Sequence, residues 1–477
     1  MKIKEWLTWA LLILATALVI GFSIGFIKAP IGQAIGITLG AIIFTLPFLL
    51  KNPELGLGLV GFFLPFERIP TVLLGGLNIK INYILIIVVL LSYLAAKAIR
   101  KDFVIPKDPI RYFLIIFALA FFVSLTQATN QQRAIQVVAS FILMVIVYLT
   151  VTLVAQNKKA IEYAVKGIIW GAILAGLVGI FQFLGDMAGL PTAVTLLKPG
   201  YDKSTMGFAR VMAFSQEPLY FANYIFIPAL ITFILLLRGQ IQKFIGRFPA
   251  VLLLLVLLLN FVLAISRGAY LAGAIVFVFV LISQAKFIFR VKTMVVSFAI
   301  ILLVLGGTYL YLVKSESDAL DNFVTHMLVR DPTGESVVSR LDATEQAYDQ
   351  FINHPILGVG PGNFGPLVQG DPSETPESGW VIVNNEYMEI LAENGLVGAI
   401  TFLLLIIVIF WRSLLAFYHA KDELLKSLIL ALIFALLAIL IQYATFSTIY
   451  IFHIWFLIGL MAAVSNLILN KNVKENI

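Results

Sequence analysis

The chain alternates long apolar runs with short polar segments. A membrane-spanning helix needs roughly 20 consecutive apolar residues, and most of the runs approach that length. The run at 55–66 is shorter and predicts a half-length or re-entrant segment. The pattern predicts an all-α fold, a polytopic transmembrane helical bundle of about 12–14 spans, with runs near residues 7–27, 31–50, 55–66, 81–96, 112–128, 135–155, 164–184, 219–237, 249–265, 269–283, 294–313, 396–411, 427–446 and 451–469.

Composition leads to the same fold class. Of the 477 residues, 61% are hydrophobic and only 12% are charged, whereas a soluble domain has roughly 25% charged residues. The absence of cysteine excludes disulfides, thiolate metal sites and cysteine nucleophiles. The four histidines, His326, His354, His419 and His453, lack the spacing of a metal-binding motif. The sequence therefore predicts an integral membrane protein without a metal or other cofactor.

Basic residues are distributed unequally between the two sides of the predicted membrane. With a cytoplasmic N-terminus, 22 Lys and Arg fall in inside segments and 11 in outside segments. Because Lys and Arg favour the cytoplasmic side, both termini are predicted to be cytoplasmic. The dense cluster from Lys97 to Arg111 then predicts a membrane anchor and not a nucleic-acid surface. The run at 7–27 is too long for a typical cleaved leader and predicts an uncleaved first span.

One polar segment is large enough to fold as a small unit. Residues 314–395 contain 14 acidic and 3 basic residues and lie on the outer side in this topology. They separate spans 1–11, in residues 1–313, from the C-terminal spans in residues 396–477. Chemistry that needs many side chains in a defined geometry is therefore expected at the outer face of the membrane.

Two helices are predicted within this loop. Apolar residues at helical spacing predict the first, from Ser336 to His354, with Arg340 in its first turn. The second begins in the segment NNEYMEILAENG, in which Glu386, Glu389 and Glu393 would share one helix face.

Between these helices, Gly360, Gly362 and Gly365 match G-x-G-x-x-G. The dinucleotide fingerprint requires a preceding strand and a following helix in a βαβ unit, and the pattern predicts neither here. The segment is therefore expected to form a flexible, tight turn between the two loop helices.

Three arginines lie on the side where basic residues are depleted. Arg210 precedes the eighth span, Arg267 lies in the short turn between spans nine and ten, and Arg340 is in the large loop. Individually, each could be an interface anchor. Together they suit a diphosphate, because a guanidinium binds phosphate oxygens bidentately and stays charged. Glu386 or Glu217 could accept the proton of an attacking sugar hydroxyl, with an ion pair or a solvated charge as the simpler alternative.

On these residues, the chain resembles the O-antigen ligase and O-antigen polymerase superfamily of polytopic membrane glycosyltransferases. The resemblance extends from about Arg210 to the C-terminus. It rests on four segments in the order typical of the family, RVMAFSQEPLYFANY, SRGAYLAG, SRLDATEQAYDQFINHPILGVGPGNFG and NNEYMEILAENGLVGAI.

The resemblance implies a glycosyltransferase C type of helical bundle in the bacterial cytoplasmic membrane, with the large loop extracytoplasmic. It implies an inverting transfer, without metal or other cofactor, from an undecaprenyl-diphosphate-linked glycan to an acceptor glycan or glycolipid. Arg210, Arg267 and Arg340 would bind the donor diphosphate. Asn385 and Tyr387 would lie on the acceptor side, where Glu217 is also expected.

One position departs from the family pattern. Ligases usually have a histidine where this chain has Asn384, in NNEY. Asparagine cannot act as a general base, so either Glu386 takes that role or substrate binding and leaving-group stabilisation suffice. The expected catalytic residues are then Glu386, Asn384 and Arg340. The change favours a repeat-unit polymerase over a ligase to lipid A core, and the sequence leaves open whether a chain-length regulator binds.

Two other classes of protein fit the hydrophobicity alone. A secondary transporter or flippase would place polar residues within the spans, where Gln442 and His453 are the candidates, and would show an internal repeat, which is not evident. A scaffolding membrane protein would give no reason for the arginines and the acidic loop. The sequence therefore favours an extracytoplasmic glycosyltransferase.

Overall fold

The computed structural model describes residues 48–69, 71–74, 77–288, 306, 335–369, 376, 379–447 and 449–475. The predicted span at 7–27, and nearly all of those at 31–50 and 294–313, lie outside the described residues.

Helices make up most of the described part, together with one short antiparallel hairpin. The hairpin consists of β1 (Thr71–Leu74) and β2 (Leu77–Lys80), and it links the first two helices. The helices are α1 (Pro53–Phe63), α2 (Ile81–Arg100), α3 (Pro109–Ser124), α4 (Gln131–Val154), α5 (Lys158–Met187), α6 (Thr192–Thr195), α7 (Lys203–Met206), α8 (Pro218–Leu237), α9 (Arg247–Leu263), α10 (Arg267–Ile288), α11 (Glu335–Asn353), α12 (Phe364–Val368), α13 (Glu386–His419), α14 (Glu423–Gln442) and α15 (Phe452–Glu475).

Nine helices of the described part are long and apolar enough to cross a membrane, and α1 and α9 are two shorter apolar helices. Each of these eleven helices coincides with one of the predicted runs. The prediction of an all-α polytopic bundle is thereby confirmed for the described part. The hairpin was not predicted, because its four-residue strands are too short to show a period.

Helix α1 is held inside the bundle by glycines. A Cβ built at Gly167 of α5 would lie 1.9 Å from the carbonyl oxygen of Gly58, and one at Gly171 would lie 2.3 Å from that of Phe62. Backbones that approach this closely leave no room for a larger residue, which is how small residues pack helices in membranes. With 11 residues, α1 is about 17 Å long and covers roughly half of the hydrocarbon thickness.

Helices α14 and α15 lie at the centre of the bundle. Helix α15 packs against α4 and α13, whereas α14 packs against α8 and α10. Both are largely buried over their apolar length. The turn that joins them, residues 443–447 and 449–451, lies beside the turn that carries Arg267, and the loop that carries Arg210 is hydrogen-bonded to the end of α9. Anything built around this turn is therefore held by the most buried part of the protein.

Helices α11 and α12 and the beginning of α13 form a small unit with its own core of Ala343, Ala347, Phe364, Val383 and Ala392. The second predicted loop helix and the span after it are one element, α13. Gly395, with φ 61° and ψ −160°, interrupts it, because glycine adopts this conformation without a side-chain clash. Helix α11 begins at Glu335, so Arg340 lies in its second turn and not in its first.

Candidate active site

The loop before α8 brings two of the predicted segments together. Arg210 in this loop donates a hydrogen bond from Nη2 to the carbonyl oxygen of Ile265 at 2.8 Å. Its guanidinium also lies over the ring of Tyr201, 5.6 Å from the ring centre. Ile265 belongs to the turn that precedes Arg267, the first residue of α10. The segments RVMAF and SRGAY, 55 residues apart in the chain, therefore meet at one place.

Arg340 interacts electrostatically with both of the other predicted arginines. Burial and the charge of Arg340 lower the pKa of Arg210, and nearby Glu217 opposes that shift. Surrounding protein and the charge of Arg267 likewise lower the pKa of Arg340, again with Glu217 opposing. We call these four residues, Arg210, Arg267, Arg340 and Glu217, the arginine cluster. Three positive charges against one negative charge give a site suited to an anion with at least two charges.

Glu217 lies at the end of this loop, immediately before α8. Its Oε1 is 3.7 Å from Nζ of Lys198, and its side chain is 33% exposed. Burial raises the pKa of Tyr201 to about 12, with a further contribution from the Glu217 carboxylate, to which its hydroxyl is hydrogen-bonded. The carboxylate is thus ion-paired yet still open to solvent, as a group that receives a proton from a substrate must be.

The side-chain amide of Gln182 in α5 holds the loop that carries Arg210 and Glu217. Oε1 of Gln182 accepts hydrogen bonds from the backbone N–H of Met212 at 3.1 Å and of Ala213 at 2.7 Å. Nε2 of the same side chain donates to the carbonyl oxygen of Ala213 at 3.0 Å. One buried glutamine therefore holds the loop backbone with three hydrogen bonds, a role that a single polar residue in an apolar helix could have signalled.

A second segment fixes the loop from the side. The backbone N–H groups of Glu67 and Arg68 donate to the carbonyl oxygen of Phe214 at 3.2 and 2.8 Å. Nε2 of Gln216 donates to the carbonyl oxygen of Glu67 at 2.9 Å, and the rings of Phe66 and Phe214 stack with centroids 4.2 Å apart. The residues after α1 are thus part of the site's frame, although no sequence motif marks them.

Glu386 belongs to a second group of residues beside the α14–α15 turn. Its side chain is almost completely buried, at 2% exposed, and its backbone N–H donates to the carbonyl oxygen of Phe446 at 3.2 Å. Oδ1 of Asn385 caps α13 by accepting from the N–H of Tyr387 and of Met388. The Tyr387 hydroxyl donates to the carbonyl oxygen of Leu440 at 2.6 Å. These contacts fix the start of α13 against α14.

Asn384, which precedes the cap, has φ 57° and is half-buried. Asparagine tolerates this left-handed conformation better than most residues. Its Nδ2 lies 3.3 Å from the carbonyl oxygen of Ile382, to which it donates.

Two further carboxylates on α13 are used for internal contacts. Glu393 accepts from the backbone N–H of Gly362 at 2.7 Å and of Phe364 at 3.2 Å. Glu389 accepts from the N–H of Val383 at 3.1 Å. Arg133, at the start of α4, is a positive neighbour of both carboxylates. The predicted shared face of the glutamates thus exists, and Arg133, which no sequence motif marks, lies near two of its three carboxyl groups.

The glycine-rich segment, expected to be a flexible turn, packs closely against its neighbours. Gly358 and Gly360 have φ 67° and 95°, and a Cβ at Gly360 would lie 2.7 Å from Cα of Ala128. The amides of this segment bind the Glu393 carboxylate, so they are not free to bind a phosphate. The literal G-x-G-x-x-G match is therefore a structural segment that joins α11 to α12.

The two groups of residues meet at Gly268. A Cβ built there would lie 1.9 Å from Oγ1 of Thr445 in the α14–α15 turn. The next residue, Phe446, accepts the hydrogen bond from the N–H of Glu386. Glu386 and Gly268, the neighbour of Arg267, thus contact adjacent residues of one turn. Within the described residues, no three His, Cys, Asp or Glu side chains are grouped in a way that could hold a metal ion.

Residues 250–403 match the family model described as O-antigen ligase. The match covers α9 to α12 and the first part of α13, with Arg267, Arg340 and Glu386. Arg210 and Glu217 lie before it and join the same cluster only in three dimensions. Comparison with curated proteins gives no significant match.

Proposed function

Because residues 250–403 carry the O-antigen ligase domain, we propose that this membrane protein is an inverting glycosyltransferase. Its donor is an undecaprenyl-diphosphate-linked glycan, and it extends or transfers surface polysaccharide at the outer face of the bacterial cytoplasmic membrane. The observation that carries the proposal is the arginine cluster, in which Arg340 interacts electrostatically with Arg210 and Arg267, and Glu217 interacts with Arg210 and Arg340. A lipid-linked diphosphate is an anion of the required charge that also reaches such a site from the bilayer.

The arginines act on the leaving group. As the bond between the anomeric carbon and the diphosphate oxygen breaks, negative charge accumulates on the diphosphate. Arg210 is held by the Ile265 carbonyl and by Gln182 below its loop, so its guanidinium is positioned before substrate arrives. Arg267 and Arg340 are exposed and supply the charges that a donor would reach first. The undecaprenyl diphosphate then departs, and the new glycosidic bond has inverted configuration.

The acceptor hydroxyl must lose its proton as its oxygen attacks the anomeric carbon. We assign Glu217 as the base that accepts this proton, because its carboxylate interacts with the arginines and is partly exposed. Glu386, the catalytic residue expected from the sequence, is nearly inaccessible before substrate binds. It serves, with Asn384, Asn385 and Tyr387, to hold the acceptor side of the site beside the α14–α15 turn. The assignment of Glu386 as the base, made from the sequence, stays a prediction. The variants Glu217→Gln and Glu386→Gln test it.

Polymerisation of repeat units is the favoured form of the reaction. Asn384 stands where ligases of the family have a histidine, and a polymerase acceptor is a second lipid-linked glycan of the same kind. The alternative is a ligase that attaches the glycan to lipid A core or another acceptor. In either form, we expect cytoplasmic termini and an extracytoplasmic segment 314–395, from the distribution of Lys and Arg. A chain-length regulator is a candidate partner of a polymerase.

A transporter or flippase is the alternative of another class. Its best candidates for a substrate path were Gln442 and His453. Both bond to Asn223, which donates to Oε1 of Gln442 at 2.8 Å and accepts from Nε2 of His453 at 2.8 Å. Side chains that satisfy one another across three helices hold the bundle together, which favours the enzyme.

The proposal is tested with the purified full-length protein in liposomes that contain a synthetic undecaprenyl-diphosphate-linked repeat unit. Glycan length and released undecaprenyl diphosphate are measured, first without a second acceptor and then with one. A ladder of longer glycans without added acceptor identifies a polymerase, and product only with added acceptor identifies a ligase. Movement of the intact lipid across the membrane without any transfer would contradict the proposal and support the transporter.

A further inference from the structure

Helix α11 has two apolar faces, and only one of them is buried. Ala343 and Ala347 are 4% and 0% exposed and pack in the small core with α12 and α13. Leu341, Tyr348 and Ile352 are 62%, 52% and 54% exposed. At about 100° per residue, these three lie within about 40° of one another and about 140° from the two alanines. The helix therefore presents an apolar stripe, Leu341, Tyr348 and Ile352, that no described part of the chain covers.

The stripe continues onto a surface that faces lipid. Ile356, one turn beyond Ile352, is also exposed, and its carbonyl oxygen accepts from the N–H of Val397 at 3.2 Å. From there, α13 exposes apolar side chains at three- and four-residue intervals along its spanning part: Leu396, Ile400, Leu403, Ile407 and Trp411. In a membrane-spanning helix, such a face contacts acyl chains. The exposed stripe of α11 and the lipid-facing side of α13 thus join at Ile356.

The exposed Glu345 lies at the edge of the stripe, about 40° from its centre, and the other charged residues of α11 point elsewhere. Asp342 and Asp349 are exposed and lie on a third face, about 90° from the centre of the stripe. A helix with a charged face and a separate exposed apolar face is typical of helices that lie in the membrane interface.

We propose that α11 rests with its apolar stripe on the membrane leaflet at its own side of the bilayer, so that lipid and not another protein covers Leu341, Tyr348 and Ile352. Arg340 lies on the edge of α11 between the alanine face and the stripe. The helix then holds this guanidinium at the depth of the lipid head groups. Arg340 would then meet a lipid diphosphate at the depth of the head groups, and this consequence rests on the proposed function. The contact of α11 with the leaflet does not rest on it.

The experiment uses the absence of cysteine from the chain. Single-cysteine variants of the full-length protein, Leu341→Cys and Ile352→Cys, are labelled with the fluorophore NBD in nanodiscs of phosphatidylethanolamine and phosphatidylglycerol. Asp342→Cys and Asp349→Cys on the polar face are matched controls, and Ile400→Cys is the reference for lipid contact. Each sample is quenched either by doxyl-labelled lipid or by aqueous iodide.

We expect doxyl lipid to quench the two stripe positions several-fold more strongly than iodide does, as at Ile400, and the reverse at the two aspartate positions. A label at Arg340→Cys should respond most to a quencher on the lipid head group. Iodide quenching of the stripe equal to that of Asp349→Cys would place the stripe in water and overturn the proposal. Protection from both quenchers would also overturn it, because the stripe would then be covered by protein. None of these readouts depends on catalysis, so failure here is distinct from failure of the proposed function.

Discussion

Nδ1 of His453 lies 2.9 Å from Oε1 of Glu67, and both side chains are buried. Nε2, on the other side of the imidazole ring, belongs to a series of side-chain hydrogen bonds whose donors and acceptors can be assigned. Gln442 donates to the carbonyl oxygen of Leu219, so its Oε1 must accept from Asn223. Oδ1 of Asn223 then accepts from Nε2 of His453. Nε2 therefore carries a proton, and the hydrogen bond between Nδ1 and Glu67 requires another. This hydrogen bond ties the site's frame to α15.

We predict that His453→Ala destabilises the protein strongly. The substitution leaves the buried Glu67 carboxyl group and the Asn223 amide without their partner, and each buried polar group left without a hydrogen bond costs about 1–3 kcal/mol. Glu67→Gln should cost less, because a glutamine amide can donate to Nδ1 of a neutral imidazole. Thermal unfolding in detergent measures both, with the exposed His354→Ala as control. Equal melting temperatures for His453→Ala and wild type would refute the role of this pair.

Arg267→Lys should lower kcat/KM by about 100-fold, although the charge is retained. Lysine cannot bind two phosphate oxygens bidentately, and loss of one positioned donor to a developing oxyanion has an effect of this size. Arg247→Lys is the matched control, because Arg247 is exposed at the opposite end of α9, the helix that leads to the Arg267 turn. Initial rates of glycan transfer in liposomes test both variants. Wild-type turnover by Arg267→Lys would remove Arg267 from the site.

Glu217→Gln should reduce kcat by about 100- to 10,000-fold, the usual contribution of a general base. Glutamine keeps the shape and the hydrogen bond from Tyr201 but cannot accept the acceptor's proton. Glu386→Gln is the comparison, because it tests the base predicted from the sequence. The rate is measured against pH for both variants. If only Glu386→Gln abolishes turnover and flattens the profile, the assignment to Glu217 is wrong.

Gly268→Ala should inactivate the protein without unfolding it. The added Cβ would overlap Oγ1 of Thr445, so the start of α10 and the Arg267 side chain must shift. The double variant Gly268→Ala with Thr445→Gly removes the clashing atoms and should recover much of the rate. Thr445→Gly alone is the control for the loss of the threonine. Failure of the double variant to exceed Gly268→Ala would mean that this contact does not position Arg267.

Gly358→Ala should destabilise the loop unit by more than the conformational term alone. Its φ of 67° is costly for alanine, and the new Cβ would lie 2.4 Å from the backbone carbon of Glu393. Gly239, with φ 71° and open space around it, isolates the conformational cost of roughly 1–2 kcal/mol. Thermal unfolding of the two alanine variants gives the difference. Equal shifts would show that the close approach at Gly358 contributes nothing.

The sequence by itself determined the membrane class and the positions of the helices. Long apolar runs can be buried only as spanning helices, because every backbone polar group in lipid must be satisfied within the segment. It also singled out Arg210, Arg267 and Arg340, since arginines at an apolar boundary are costly and therefore few. The helix from Glu335 to Asn353 followed from its spacing of apolar residues.

Only the tertiary structure decided which of these residues share a site. The sequence favoured Glu386 over Glu217 as the catalytic residue, but in the folded chain Glu217 is partly exposed near the arginines and Glu386 is buried beside Phe446. The frame made by Gln182 and by residues 66–68 depends on hydrogen bonds between distant segments, which no local pattern records. The same holds for α11, where periodicity identifies the apolar positions but only packing shows which of them the protein leaves uncovered.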